Sequence, residues 1–259
     1  MTYWRPVATL WWREIIRFVR QRSRLLGAFA QPLLFWLLLG GGMNASFRPA
    51  GGAGAASYVE YFYPGVMVMV LLFTAIFSTI STVEDRRAGF LQGVLVAPVS
   101  RTQIVLGQAL GGTTLATLQG SLFLLLAPFA GISLGIVSAV GAILVMFLVA
   151  FALTSLGLVI AWRMDSTQGF HAVMNLLLMP LWFLSGAVFP LAGVPIALGW
   201  VMRANPLTYG MVALRRTLYA GNAAAVAPLP SLAVALGVTV CFAAGSFFAA
   251  TATARRAAA

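Results

Sequence analysis

The stretch TQIVLGQALGGTTLATLQGSLFLLLAPFAGISLGIVSAVGAILVMFLVAFALTSLGLVIAW, Thr102–Trp162, contains no charged residue and no histidine. A membrane-crossing helix needs about 20 apolar residues, so the stretch is long enough for two crossings and too long for one. Its break falls at PFAGISLG, Pro128–Gly135, which reads as the tight turn of a helical hairpin with arms at about 104–127 and 136–162.

Working outward, similar uncharged runs flank this hairpin. LLGAFAQPLLFWLLLGGGM, Leu25–Met43, gives a first crossing that Pro32 is expected to kink. Tyr61–Val83 gives a second, opening on aromatic residues suited to the headgroup region and closing at Glu84 and Asp85. After Arg163 and Asp165, residues 168–189 give a fifth. The following LAGVPIALGWVM is too short to span and too apolar for an ordinary loop, so it is expected to enter and leave on one side. A sixth crossing covers about 231–251. The expected fold is one all-α integral membrane domain over residues 1–259, with six transmembrane helices, an N-terminal interfacial helix at 1–24 and a re-entrant external segment before the last helix.

Composition agrees with lipid as the main solvent. Of 259 residues 61% are hydrophobic and 8% charged, with a mean hydropathy of +0.96, against roughly one-quarter charged in a soluble domain. The net charge of +11 sits at the borders of apolar runs, which is a topology signal and gives no reason to expect nucleic acid as a partner. With both termini inside, twelve arginines lie on cytoplasmic segments and only Arg48, Arg203, Arg215 and Arg216 lie outside. The expected location is a bacterial cytoplasmic (inner) membrane, crossed several times, with both termini cytoplasmic. The lone Cys241 excludes a disulfide within the chain, and the Arg-rich start is expected to remain attached, since it is too long for the basic part of a signal peptide.

Residues 1–24 carry Trp4, Trp11, Ile15, Phe18 and Val19 near one face and Arg13, Arg17, Arg20 and Arg24 on another. Such a helix lies in the membrane plane, with Trp4 and Trp11 at the acyl boundary and Arg13, Arg17 and Arg20 toward lipid phosphates. The segment VEDRRAGFLQGVLVAPVSRTQIVLGQ, Val83–Gln108, mixes charge, apolar residues and a proline stop. Ala88–Val96 is expected to form a short amphipathic helix ended by Pro98. Held between two crossings, such a helix is a lever that a partner can push.

Catalytic readings find little support. Gly40–Gly42 lacks the Lys and Ser/Thr of a phosphate-binding loop, and His171 alone cannot assemble a histidine metal site, so no metal and no catalytic residue is assigned. An ion-driven carrier would be expected to hold acidic or basic residues inside its spans, and these spans hold essentially none. Gly107, Gly111, Gly112, Gly120, Ser155 and Gly157 permit close helix contacts, within the subunit or between copies.

The chain resembles the permease subunits of type-2 ABC exporters, a family that includes drug-resistance, lipo-oligosaccharide and polysaccharide exporters. The resemblance is carried by Glu84, Asp85, Arg86, Arg87 and Gly89, then Leu95, Ala97, Pro98, Val99, Ser100, Arg101 and Gly107, and by NPLTYGMVALRRTLYAG, Asn205–Gly221. It implies an ATP-driven exporter in which two ATPase subunits carry the ATP and Mg, while this chain binds no cofactor and is not itself an enzyme. A second permease copy, forming a homodimer, and membrane lipid complete the implied partners. By the same resemblance the coupling segment 84–103 docks on the ATPase through Glu84, Asp85, Arg86, Arg87, Gly89, Phe90, Leu91, Pro98 and Arg101. The cargo pathway would run along the first, second and fifth crossings, with Phe35, Trp36, Phe73, Phe77, Met174, Trp182 and Phe183 as apolar and aromatic lining for an amphipathic drug-, lipid- or glycan-like substrate. Gln92 and Ala88 stand where the family often has acidic residues. An ATP-independent channel or carrier is the alternative, which leaves the charged amphipathic segment unexplained.

Overall fold

The computed structural model describes residues 3–20, 22–43, 57–191 and 193–256. Among them every regular element is helical, as the uncharged runs imply. Four helical stretches are long and apolar enough to cross a membrane: Tyr58–Arg87, Ile136–Ala161, Thr167–Ala187 and Leu232–Arg256.

The centre of the bundle is the pair α3 (Tyr58–Ser78) and α4 (Ile80–Arg87), a nearly continuous rod. Ser57 starts it, accepting the Glu60 N–H. At an α-helical rise its 30 residues reach about 45 Å. Of its apolar window 89% is buried, against 22% for α12 (Leu232–Arg256), so α3 is enclosed by protein while α12 faces outward along most of its length. α3 packs against α2 (Arg22–Met43), α6 (Arg101–Leu124) and α7 (Ile136–Ala161), and α12 covers α7. α2 passes through Pro32 without interruption.

α6 spans about 36 Å at the same rise. Gln103, Gln108, Thr113 and Gln119 on it are all buried, facing neighbouring helices in place of lipid. Ser100 caps it, with Gln103 reaching back to the Ser100 N–H, so Arg101 belongs to its first turn and not to a loop. The hairpin turns through a short tight helix at Ala127–Ala130 and Gly131, whose φ of +84° an L side chain rarely adopts.

The small residues of α6 and α7 serve packing within the subunit. A Cβ on Gly107 would meet Leu10 at 2.8 Å, one on Gly111 would meet Glu14 at 2.6 Å, and one on Gly112 would meet Ser78 at 2.2 Å. Gly120 lies against Met146 and Leu71, and Gly157 against Thr79. The absence of a side chain at Gly107 and Gly111 lets α1 (Trp4–Arg20) lie directly on α6, with Val7, Leu10, Glu14 and Phe18 turned inward.

α8 (Thr167–Trp182) runs into a wide turn at Phe183–Ala187, where Gly186 adopts φ +81° and the helix ends. Then come α9 (Ile196–Ala204), α10 (Pro206–Leu218) and α11 (Ala223–Val226). Nine residues of α9 give about 13 Å, under half the hydrocarbon thickness. Asn205 caps α10 by accepting from the Leu207 N–H, with Pro206 in the first helical position.

Candidate functional site

The charged residues of α1 and of the rod's end converge. Arg13 forks onto Asp85, with Nη1 at 2.6 Å from Oδ2 and Nη2 at 2.7 Å from Oδ1. Arg17 donates to Asp85 Oδ1 at 2.9 Å and to Glu84 Oε2. Asp85 itself is buried, which makes the double arginine contact necessary, since a buried carboxylate is tolerated only when paired. The hydrogen bond and charge of Asp85 hold the Arg13 guanidinium above its ordinary pKa against the opposing effect of burial. Glu14 lies beneath, 3.5 Å from Arg13 Nη1, and its pKa is raised because burial outweighs its hydrogen bond with Ser81 and the nearby arginines.

The same guanidinium stacks on α5 (Phe90–Val96): Arg13 Cζ lies 3.9 Å from the centre of the Phe90 ring. Gly89, at φ +74°, lets the chain turn out of α4 and begin α5 two residues later than the Ala88 start expected from sequence. Leu91 is buried, while Phe90 is 40% and Val96 88% exposed. Between α1 and α5 lies an open groove of about 680 Å³ with an apolar floor of Pro6, Leu10 and Val94 and with Arg5 and Arg13 along it.

The remaining expected coupling residues divide. Arg86 donates to the Trp162 and Met164 carbonyls at 2.8 and 3.3 Å and to Asp165 at 3.1 Å, tying the rod to the turn between α7 and α8. Arg87 and Pro98 are exposed. Arg101 buries one terminal nitrogen that has no hydrogen-bond partner. On α1, Trp4 is exposed and Trp11 donates its indole N–H to Thr114 at 3.0 Å. Arg13 and Arg17 thus turn to protein carboxylates, leaving Arg20 exposed beside Trp12 and Ile16.

Of the aromatic and methionine residues expected along a pathway, Trp36, Met174 and Trp182 are buried inside the bundle. Trp182 donates to the Gly65 carbonyl at 2.8 Å. Phe35, Phe73 and Phe77 are partly buried and Phe183 is 40% exposed. His171 is exposed on α8, 5.2 Å from the Phe77 ring. No group of three or more potential metal ligands occurs among the described residues.

Sequence reasoning missed Glu14 and Arg215. The spacing Val7, Leu10, Glu14, Phe18 places Glu14 on the packed stripe, a signal present in the sequence. Arg215 looks like half of a surface pair with Arg216, and only the fold shows it buried.

Residues 5–219 match the family described as ABC-2 type transporter. The chain belongs to that family. Among curated relatives of this ABC-2 protein, the transport permease ycf38 of Cyanophora paradoxa is 31% identical over 78% of this chain and 70% of its own. Nodulation protein J of Rhizobium meliloti (strain 1021) is 28% identical over 90% of this chain and 86% of its own. Nodulation protein J of Rhizobium leguminosarum bv. trifolii is 29% identical over 80% and 78%. This ABC-2 chain is therefore a multi-pass membrane transport subunit, and its family implies an ABC transporter with an ATPase partner.

Proposed function

We propose that this chain is the membrane-spanning subunit of an ATP-driven exporter, two copies of which pair with two ATPase subunits that hold ATP and Mg. In this reading the chain crosses the membrane six times, through α2, the α3–α4 rod, α6, α7, α8 and α12. Both termini are cytoplasmic in a bacterial inner membrane, α1 lies at its inner surface, and α9 and α10 form an external re-entrant segment. The cargo is an amphipathic drug-, lipid- or glycan-like molecule passing between the copies, along Phe35, Phe73, Phe77 and Phe183.

One observation carries the reading. Arg13 joins α1, α5 and the end of the central rod at a single guanidinium, through Asp85 and Phe90. Force applied to α1 or α5 therefore reaches the most enclosed helix of the bundle, which is what a subunit driven by an external ATPase requires. The absence of charge from the apolar stretches supports an external energy source.

The test uses two exposed residues, Arg87, which lies outside the ion-pair cluster, and Phe90, whose ring stacks on Arg13. In membranes containing the cognate ATPase, Arg87→Glu combined with Phe90→Ala is expected to cut ATPase co-purification and export together, with the permease still folded. Unchanged co-purification and export would remove the coupling role, and transport by the purified permease alone would favour an ATP-independent carrier.

A further inference from the structure

At the end of the bundle remote from α1, the break in α8 frees several carbonyls, and side chains from α3 and α10 take them up. Asn205 donates to Leu181 at 2.7 Å, Thr208 to Leu184 at 3.3 Å, and Tyr58 to Val188 at 3.3 Å. The Gly186 carbonyl gathers two donors, the Tyr61 hydroxyl at 3.1 Å and Arg215 Nη2 at 3.0 Å. The same Arg215 nitrogen reaches the Tyr61 carbonyl at 3.3 Å, and its guanidinium carbon lies 4.1 Å from the Tyr61 ring centre.

We infer that Arg215 is a positioning residue for transport, clasping the break of α8 to the start of the central rod so that this end of the bundle is closed at rest. The inference rests on the exporter reading above and adds the place where the outlet is held. Arg215 is 9% exposed, and among the described residues no carboxylate lies within ion-pair distance of it. A buried cation held by carbonyls and a ring, without an ion pair, carries a desolvation cost that an apolar residue in its place would not.

Arg215 Nε is buried and donates to no acceptor among the described residues. Tyr61 and Asp85 also lie on one rod, so a tilt imposed at Asp85 moves Tyr61 against Gly186. Opening replaces the two carbonyl contacts of Arg215 with water.

Ser185, 1% exposed beside the break, reports on the clasp. In a Cys241→Ala background, Ser185→Cys is reacted with a water-soluble maleimide in proteoliposomes holding the permease alone. Arg215→Gln is expected to raise the labelling rate about tenfold, the equivalent of one charge-assisted hydrogen bond, and Arg215→Lys less. With the ATPase added, the parent protein should reach that rate only with ATP, while Arg215→Gln reaches it without nucleotide and loses cargo stimulation while remaining folded and monodisperse. If Arg215→Gln is not recovered as a monodisperse protein, Tyr61→Phe takes its place, removing the second donor to Gly186 while keeping the ring. Labelling at the parent rate in the folded variant overturns the clasp. Failure of any ATPase to associate overturns the exporter reading instead, and leaves the labelling result to judge the clasp.

Discussion

Glu14 shows how one residue can work against the packing it belongs to. Its side chain lies under Arg13 and against Gly111, where a Cβ would come within 2.6 Å of it, and burial raises its pKa. An acid whose folded pKa is raised binds its proton more tightly in the folded state. Its penalty is absent below the unfolded value of about 4.3, grows as pH rises toward the folded value, and is complete above it. Glu14→Gln keeps the shape and an acceptor oxygen for Ser81 but removes the charge. The variant is expected to melt at a higher temperature than the parent at pH 8, with the difference gone by pH 4, as followed by thermal unfolding in detergent. A lower melting temperature at pH 8 would mean that the Arg13 contact outweighs desolvation.

Among elements, the apolar stretches were legible because an uncharged run is a local signal, and the hairpin turn because Pro128 and Gly131 mark it locally. What joins elements was less legible. Arg13 and Asp85 are 72 residues apart, and neither the periodicity of α1 nor that of α4 names the other as partner. Reading Arg13 and Arg17 as lipid-facing was the natural inference from α1 alone, because their carboxylates come from a segment that reads as a loop but folds as the last turn of a rod. Gly89 shifted the start of α5 for a similar reason, its positive φ being a consequence of the turn it must make. The clasp between α1 and the rod should be measurable. Arg13→Ala leaves the buried Asp85 with only Arg17 and is expected to destabilise the protein by about 1–3 kcal/mol, the range for a buried acceptor losing a partner. Arg13→Lys should recover only part, since a single ammonium cannot reproduce the two-pronged contact. Full recovery by lysine would show that charge alone, without the fork, holds α1 in place.

For the whole molecule, the arrangement in the membrane follows from which end of the rod is which. Glu60 and Tyr219 meet at one end, where the Tyr219 hydroxyl donates to the Glu60 carbonyl at 2.7 Å, and α5 leaves from the other. In the proposed topology the α1 and α5 end is cytoplasmic, as the arginine bias suggests, and Arg203, Arg215 and Arg216 are left outside, against the general rule. The structure lessens that conflict for two of them. Arg215 is buried against Tyr61 and Gly186, and Arg216 caps the carbonyls of Val226, Leu229 and Pro230, so neither is a free surface charge of the kind that sets topology. Two exposed positions then report the sidedness. Gly221 is exposed at the Tyr219 end, and Val96 is 88% exposed on α5. Because Cys241 is itself exposed, each cysteine is introduced singly into a Cys241→Ala chain. An impermeant maleimide added to intact cells is expected to label Gly221→Cys at once and Val96→Cys only after the membrane is opened. The reverse pattern would invert the topology, turning α1 and α5 away from any cytoplasmic ATPase. Labelling of both in intact cells would place the two ends on one face, which a rod of about 45 Å crossing the bilayer does not allow.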